Sequence, residues 1–224
     1  MPSPSRGKAV PSSPSRGKAV PSSPRRGKAV RSSRGKTVPA GLVLTPGAGA
    51  GSDQPSLVAI EEALAPDGVR VARVDFPYRL AGRKAPDRPV VLLTTVIEAT
   101  DALATELGVD GTRIAVGGRS MGGRMCSMAV ADGMAAAALV LVSYPLHPPG
   151  KPDRLRTEHF EAITVPCLFV SGTRDSFGSQ SELESATAAI AGPVTHVWIE
   201  RGDHGLRRKD AEVAQQVRDW FLKL

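Results

Sequence analysis

Short apolar runs alternate with longer amphipathic stretches along most of the chain, from about residue 39 onward. The apolar runs predict strands at residues 41–44, 69–75, 113–116, 138–143, 167–171 and 195–200. The stretches between them predict helices at residues 56–64, 90–107, 121–131, 179–190 and 209–222. Short, continuously apolar strands separated by such helices are typical of a mostly parallel sheet covered on both faces. The pattern therefore predicts one α/β domain over residues 40–224, with three layers and about six strands.

The first 39 residues follow a different pattern, a ten-residue repeat that reads SPSRGKAVPS twice and then SPRRGKAVRS. Proline and glycine recur too often for a helix or a strand, and isolated Ala-Val pairs cannot build a core. We therefore predict a disordered, low-complexity basic tail over residues 1–39. A secretory signal would need an apolar run of about 7 to 15 residues, and the prolines argue against the amphipathic helix of an organellar transit peptide.

The net charge of +7 at first suggests a protein that binds nucleic acid. Residues 1–39, however, hold ten basic residues and no acidic one, which leaves a net charge of −3 on the rest of the chain. The tail is thus either an arm that binds polyphosphates such as nucleic acid, or a solvated extension translated from a start codon placed too early. The charge carries no information about the chemistry of the domain.

The cysteine count and the apolar runs bear on the compartment. Two cysteines, Cys126 and Cys167, cannot form a disulfide framework, and both are expected to be buried, small apolar side chains. A reducing compartment fits this usage, so a cytoplasmic location is expected. The sequence has no apolar run of the roughly 18 residues that a membrane-spanning helix requires.

One loop of the predicted sheet has the pattern of a nucleophile elbow. The third predicted strand runs into GGRSMGG at residues 117–123, and a predicted helix follows. G-x-S-x-G between a strand and a helix is typical of the tight turn that presents a reactive serine. Such a turn requires a positive φ at Ser120 and leaves little room for side chains at Gly118 and Gly122. A glycine-rich turn without a catalytic function is the alternative interpretation.

A serine hydroxyl becomes an effective nucleophile when a histidine accepts its proton and a carboxylate orients that histidine. In open α/β sheets, such groups are expected in loops at the carboxyl ends of the strands. The fifth predicted strand leads into Asp175 and the sixth into His204, in the order serine, acid, histidine. His196, within a predicted strand, and His159, in a polar connection, are expected to have packing roles. Ser120, Asp175 and His204 are therefore the predicted catalytic residues.

Acyl transfer also requires N–H donors for the oxyanion that forms at the reacting carbonyl. The backbone N–H of Met121, at the start of the elbow helix, is one candidate. The second is expected in the glycine-rich loop at residues 45–52, with Ala48 preferred and Gly49 next. Phosphate binding by this loop is the less favoured alternative, because its glycines match neither G-x-G-x-x-G nor a Walker motif.

Four segments occur in order along the chain: PGAGAG at 46–51, GGRSMGGR at 117–124, YPLHPPGKP at 144–152 and GTRDSFG at 172–178. Together they resemble a small α/β-hydrolase family that includes bacterial dienelactone-hydrolase-like proteins. Its domain is shared with a testis-expressed protein and with a subunit of the NSL chromatin complex. The resemblance covers residues 40–224 and implies an α/β-hydrolase-like fold. It also implies that Ser120 is the nucleophile, Asp175 the acid and His204 the base.

The chain departs from this family pattern in two places. Members usually have His-Gly where this chain has Pro46-Gly47, which removes a side chain that often braces the oxyanion loop. The antiparallel strands that usually open the fold have no counterpart, so a sheet of six strands is expected. The segment at residues 144–166 takes the place of the lid, and its shortness indicates an open site. Tyr144 and His147 are candidate substrate-binding residues there, or they fix the segment itself.

These observations favour a serine hydrolase that cleaves carboxylic esters or thioesters of small molecules through a covalent acyl-enzyme. This chemistry requires neither a metal nor an organic cofactor. A catalytically silent, hydrolase-like binding domain is the alternative, because a fold does not by itself establish an activity. Nucleic acid is a candidate partner of either kind of domain, through the tail alone.

Overall fold

A computed structural model of the protein describes residues 38–224. The strands in this range are β1 (Gly41–Thr45), β2 (Arg70–Arg73), β3 (Ile114–Arg119), β4 (Leu139–Val142), β5 (Cys167–Gly172) and β6 (Val194–Ile199). The α-helices are α1 (Pro55–Leu64), α2 (Pro77–Leu80), α3 (Pro89–Leu107), α4 (Met121–Ala131), α5 (Gln180–Thr187) and α6 (Asp210–Phe221). The tail predicted over residues 1–39 lies outside the described residues, apart from Val38 and Pro39.

The six strands form one sheet in the order β2-β1-β3-β4-β5-β6, and every neighbouring pair is parallel. The predicted α/β fold class and strand number are confirmed. From β1 the chain first adds β2 on one side and then crosses to β3 on the other. The loops that leave β1 and β3 therefore diverge between these two strands, and such a switch point is where open α/β sheets bind ligands.

The core has two halves, one on each face of the sheet, because alternate residues of a strand point to opposite faces. Val43 of β1 belongs to the half covered by α3 and α4, whereas Leu42 and Leu44 belong to the half covered by α1 and α6. The central strands β3, β4 and β5 alternate in the same way, and their residues are buried on both faces. This burial explains why the strands read as continuous apolar runs in the sequence.

The structure differs from the predicted elements where local pattern and tertiary context disagree. Strand β3 continues through Gly117 and Gly118 to Arg119, because β1 and β4 supply ladder partners on both sides of these residues. The short helix α2 begins at Pro77, directly after Phe76, and is too brief to show a helical period. Strand β2 ends at Arg73, and the Asp75 carboxylate instead accepts hydrogen bonds from Ser52 in the loop after β1.

Among the helices of residues 38–224, none combines the length and apolar character that crossing a membrane would demand.

Candidate active site

Ser120 occupies the turn between β3 and α4, with φ at 50° and ψ at −117°. This conformation is strained for a residue with a side chain, and it is held by a 2.9 Å hydrogen bond from Ser120 N–H to Val142 O on β4. A Cβ at Gly118 or at Gly122 would overlap the backbone oxygen of Thr45. The two glycines thus let the elbow pack directly against the end of β1. The steric limit comes from that strand rather than from Ser120 itself.

The loops after β3, β5 and β6 bring Ser120, Asp175 and His204 into one hydrogen-bonded chain. Ser120 Oγ lies 2.9 Å from His204 Nε2, and His204 Nδ1 lies 2.9 Å from Asp175 Oδ2 and 3.0 Å from Oδ1. A carboxylate only accepts hydrogen bonds, so the proton of the neutral imidazole sits on Nδ1. Nε2 is then left as the acceptor for the Ser120 hydroxyl. Ser120 and Asp175 are thus each within hydrogen-bond distance of His204, on opposite sides of its ring.

His204 is held at three points: at Nδ1, on one face of its ring and at its backbone oxygen. The Asp175 side chain is 2% exposed and also accepts a 2.8 Å hydrogen bond from Phe177 N–H, while His204 is 20% exposed. The Phe177 ring stacks on the imidazole with centroids 3.8 Å apart and planes 22° apart. The Arg119 guanidinium donates to the backbone oxygen of His204 at 2.5 Å. None of these contacts uses Nε2 of the imidazole, which faces Ser120 Oγ.

The loop after β1 is braced by two side chains from neighbouring elements. Gly47 N–H donates to Gln54 Oε1 at 3.0 Å, and Gly49 N–H donates to the Tyr78 hydroxyl at 3.1 Å. Tyr78 lies in α2 and is fully buried, so its hydroxyl is a fixed acceptor. Gln54 and Tyr78 therefore brace the loop that follows Pro46.

The two predicted oxyanion donors differ from their neighbours in having no acceptor. Within residues 38–224, Ala48 N–H makes no hydrogen bond, although Gly47 and Gly49 on either side do. Met121 is the first residue of α4, and a first-turn N–H has no acceptor within its own helix. Both residues line the space in front of Ser120. Of the two loop residues considered from the sequence, Ala48 rather than Gly49 has a free N–H.

An open cavity of about 430 Å³ lies over these groups, a size that suits a small molecule. Its lining residues are Gly47, Ala48, Gln54, Arg119, Ser120, Met121, Arg124, Pro145, Arg156, Phe177 and His204. The cavity is open because the segment between β4 and β5 forms no α-helical lid over it in the described structure. This segment contains only a short turn of 3₁₀-helix at Phe160–Ala162.

A model of the alpha/beta hydrolase domain matches residues 38–220 of the sequence. The chain belongs to the alpha/beta hydrolase domain family. The match spans all six strands and all three residues of the Ser120 hydrogen-bonded chain.

Solved structures share the fold of this alpha/beta hydrolase domain. Est1E from Butyrivibrio proteoclasticus, with ferulic acid bound, is 17% identical, with a TM-score of 0.68 over 82% of this chain and 88% of that chain. A dienelactone hydrolase from Anabaena variabilis is 20% identical, with a TM-score of 0.65 over 83% and 87%. A serine hydrolase described as without a lid, from Xanthomonas campestris, is 14% identical, with a TM-score of 0.64 over 84% and 83%. At these identities the likeness concerns the fold alone.

Tyr144 and His147, the substrate-binding residues expected from the sequence, are not among the residues that line the cavity of this hydrolase-family domain. The Tyr144 hydroxyl donates to the backbone oxygen of Arg156 at 2.7 Å, and burial raises the pKa of Tyr144 above its ordinary range. His147 is 5% exposed, donates from Nδ1 to Pro148 O at 2.9 Å and lies 3.6 Å from Glu182. Both side chains fix the segment, and only Pro145 and Arg156 of that segment reach the cavity.

The other two histidines of the hydrolase-family domain are engaged elsewhere. His196 Nε2 lies 2.9 Å from Thr187 Oγ1, and its ring stacks on Trp198 on the edge strand β6. His159 Nε2 lies 2.8 Å from Ser127 Oγ. The pKa of His159 is lowered to about 4, mainly by burial and further by the positive charge of Arg124. Neither ring lines the cavity.

Several residues around the site were not singled out from the sequence. Phe177 lies two residues beyond Asp175 in the loop after β5, and an aromatic residue in a predicted catalytic loop is a sequence signal for a residue that lines the site. Arg119 directly precedes the serine and offered a similar one. Gln54, Tyr78 and Arg156 had no local signal, because their roles depend on elements that only the folded sheet brings together.

Proposed function

We propose that this alpha/beta hydrolase domain is a serine hydrolase that cleaves carboxylic ester or thioester bonds of small molecules through a Ser120 acyl-enzyme. The observation that carries the proposal is the pair of hydrogen bonds that links Ser120 Oγ to His204 Nε2 and His204 Nδ1 to Asp175, each 2.9 Å long. This is the arrangement in which a serine hydroxyl can lose its proton as it attacks. Family membership and a cavity directly over Ser120 support the same conclusion.

In the first half-reaction, Ser120 Oγ attacks the substrate carbonyl carbon while His204 Nε2 takes the hydroxyl proton. Asp175 keeps Nδ1 protonated and stabilises the imidazolium that results. The stacked Phe177 ring adds an attractive interaction with this cation, since the face of an aromatic ring carries partial negative charge. The imidazolium then gives its proton to the departing alcohol or thiol as the tetrahedral intermediate collapses to the acyl-enzyme.

Negative charge develops on the carbonyl oxygen during this attack, and the N–H groups of Ala48 and Met121 are the proposed donors to it. Neither N–H has an acceptor in residues 38–224, so neither must break a protein hydrogen bond when the oxyanion forms. Donors fixed in advance in this way contribute more to the transition state than to the bound ester. Met121 also stands at the positive end of the α4 dipole.

In the second half-reaction, a water molecule takes the position of the departed alcohol and attacks the acyl carbon. His204 Nε2 accepts the proton of the water, and collapse of the second tetrahedral intermediate returns that proton to Ser120 Oγ. The products are a carboxylic acid and the restored enzyme. The open cavity gives this water direct access, because no helical lid covers it in the described residues.

The proposal is tested by turnover of p-nitrophenyl esters with acyl chains of two to eight carbons, together with acetyl and butyryl thioesters of a small thiol. We expect saturable hydrolysis with a preference for short chains. Ser120→Ala and His204→Ala should each lower kcat by about 10³-fold or more, because the two groups act as one unit.

Glu200→Ala is the matched control, because Glu200 lies directly after β6 in the connection that leads to His204, is exposed and belongs to no hydrogen bond with the imidazole. Its activity should stay within about twofold of wild type, the range of surface substitutions away from the site. Folded wild-type protein that hydrolyses neither esters nor thioesters, or a Ser120→Ala variant with undiminished turnover, would favour a catalytically silent binding domain.

A further inference from the structure

The cavity beside Ser120 has an uneven charge. Three arginines, Arg119, Arg124 and Arg156, are among its lining residues, and no aspartate or glutamate is. Arginine is the side chain best suited to bind a carboxylate or a phosphate, because its planar guanidinium can donate two parallel hydrogen bonds. The distribution of partners among the three arginines shows which of them are available for such a ligand.

Arg119 has one side-chain hydrogen bond within the protein and three carboxylates that compensate its charge. It donates to the backbone oxygen of His204, and the negative charges of Asp210, Asp175 and Asp203 all stabilise its cationic form. Burial lowers the pKa of Arg119, and these three carboxylates oppose that shift. Arg119 therefore supports the His204 loop and is not free to serve as a ligand-binding group.

Arg124 and Arg156 have no such partners. Neither forms an ion pair with any carboxylate of residues 38–224. Nε is buried without a hydrogen-bond partner in both Arg119 and Arg124, but Arg124, unlike Arg119, donates no side-chain hydrogen bond to any residue of 38–224. The side-chain hydrogen bond of Arg156 is a long one, 3.4 Å, to Pro145 O. Glu158 and Asp132, the acidic residues whose charges act on His159 in this region, are exposed, and neither forms an ion pair with Arg124 or Arg156.

The two unpaired guanidinium groups also repel each other. The pKa of Arg156 is lowered, first by burial and then by the positive charge of Arg124, while the Tyr144 phenol opposes the shift. Two neighbouring like charges, partly removed from water and without a counter-ion, are unfavourable in the free protein. A bound anion between them would remove the repulsion and satisfy the unused donors at the same time. Such an arrangement is typical of a site that is completed by its ligand.

We propose that the substrate carries an anionic group, a carboxylate or a phosphate, which Arg124 and Arg156 bind together in the cavity beside Ser120. The inference rests on the proposed hydrolase function and specifies its substrate class. Arg124 follows Ser120 by one turn of α4, and Arg156 comes from the segment between β4 and β5. The anionic group therefore lies within a few atoms of the reacting carbonyl, as in a monoester of a short dicarboxylic acid or an ester with a small acidic alcohol.

The test compares esters that differ in charge but not in length. On the acyl side, p-nitrophenyl hydrogen glutarate is compared with p-nitrophenyl pentanoate. On the alcohol side, 4-(butanoyloxy)benzoate is compared with 4-(butanoyloxy)benzamide. We expect the anionic member of at least one pair to have a kcat/KM about tenfold higher or more, the size of a charge-assisted hydrogen bond. Arg156→Gln and Arg124→Gln should reduce that preference to about threefold or less, while Arg124→Lys, which keeps the charge, should retain part of it.

Arg154→Gln is the matched control. Arg154 lies two residues from Arg156 in the same segment, is exposed and does not line the cavity. Its replacement removes one positive charge from the domain without touching the site, so it measures general electrostatic attraction of the anionic ester. The charge preference should be unchanged in this variant.

Binding is measured separately from turnover, with Ser120→Ala protein and calorimetric titration of glutarate and of inorganic phosphate. We expect the preferred anion to bind, and binding to weaken about tenfold in Ser120→Ala/Arg156→Gln; the better ligand identifies the type of anion. Equal kcat/KM within both ester pairs, or a preference that survives both glutamine substitutions, would overturn the proposal while leaving the hydrolase function intact. Absence of turnover for every ester, charged or neutral, would count against the hydrolase function itself, and anion binding that depends on Arg156 would still be evidence for the anion site.

Discussion

Replacement of Tyr78 by phenylalanine tests whether the loop that carries Ala48 is held in place by a side chain that never touches substrate. Tyr78 is fully buried in α2, and its hydroxyl accepts the 3.1 Å hydrogen bond from Gly49 N–H. Phenylalanine keeps the ring packing and removes only this acceptor. Since Gly49 is adjacent to Ala48, loss of the bond lets the loop move, and with it the Ala48 N–H that we assign to the oxyanion.

The magnitude follows from the strength of one neutral hydrogen bond. Such a bond contributes about 0.5–1.5 kcal/mol net, and Gly49 is exposed, so water can replace the lost acceptor. We therefore expect the free energy of unfolding to fall by about 0.5 kcal/mol. If about 1 kcal/mol of positioning is lost from the loop, kcat should fall about fivefold at nearly constant KM, because the oxyanion exists only in the transition state. Loss of an entire oxyanion donor, about 10²–10³-fold in kcat, sets the upper limit.

The assay pairs urea unfolding with steady-state hydrolysis of a p-nitrophenyl ester. Thr100→Val is the control, because Thr100 is buried in α3, away from the cavity, and its hydroxyl donates to Val96 O at 2.8 Å. Its stability should change by a similar amount while kcat stays constant. A Tyr78→Phe protein with unchanged kcat would show that the loop holds its position without Tyr78. A fall beyond about 10²-fold would mean that the hydroxyl takes part in the reaction itself, contrary to the proposed bracing role.

Three further predictions follow from buried groups. Gly122→Ala places a methyl group against the backbone oxygen of Thr45, so thermal unfolding should show a free energy of unfolding lower by about 1–3 kcal/mol or more. An unaltered melting temperature would contradict the packing of the elbow on β1. His159 has a folded-state pKa of about 4, below its ordinary 6.5, so the unfolded chain binds more protons between these values and the free energy of unfolding falls as the pH is lowered. Urea unfolding of His159→Gln should show a decrease between pH 7 and pH 5 that is about 1 kcal/mol smaller than in the wild type. An equal decrease in the two proteins would refute the lowered pKa. Burial raises the pKa of Cys126 and of Cys167 to about 12 each, so iodoacetamide at pH 8 should add no mass to the native protein and two adducts after unfolding; rapid native labelling would contradict their burial.

The parts of the fold that follow from local pattern were predictable from the sequence. Buried parallel strands are continuously apolar, so the number of strands and their positions along the chain are predictable before any contact is known. The positions of Ser120, Asp175 and His204 follow from the same pattern, because each lies in the loop that leaves a strand and parallel strands end at one edge of the sheet. The elbow motif at residues 117–123 places Gly117 and Gly118 in the loop after the third predicted strand, whereas in the structure the ladders of β1 and β4 include them in β3.

Contacts between distant elements could not be read in this way. The sequence makes Tyr144 a candidate for substrate binding or for fixing its own segment, because residues 144–166 take the place of the lid. In the structure its ring packs against Phe160 and Phe169, and its hydroxyl donates to Arg156 O in the same segment. Arg124 and Arg156 are 32 positions apart on different elements, and their shared position at the cavity depends on the path of the segment between β4 and β5. Charge compensation is a property of the folded surroundings, so only the structure distinguishes these arginines from Arg119.

Covalent labelling with a fluorophosphonate, followed by peptide mass spectrometry, tests most directly whether Ser120 is the nucleophile. Trypsin cleaves after Arg119 and Arg124, so the adduct should appear on the peptide SMGGR that begins with Ser120. We expect stoichiometric labelling of the native protein, complete loss of the adduct in Ser120→Ala, and labelling slowed by orders of magnitude in His204→Ala, which retains the hydroxyl without its base. Native protein that stays unlabelled, or an adduct that persists in Ser120→Ala, would contradict the assignment of Ser120.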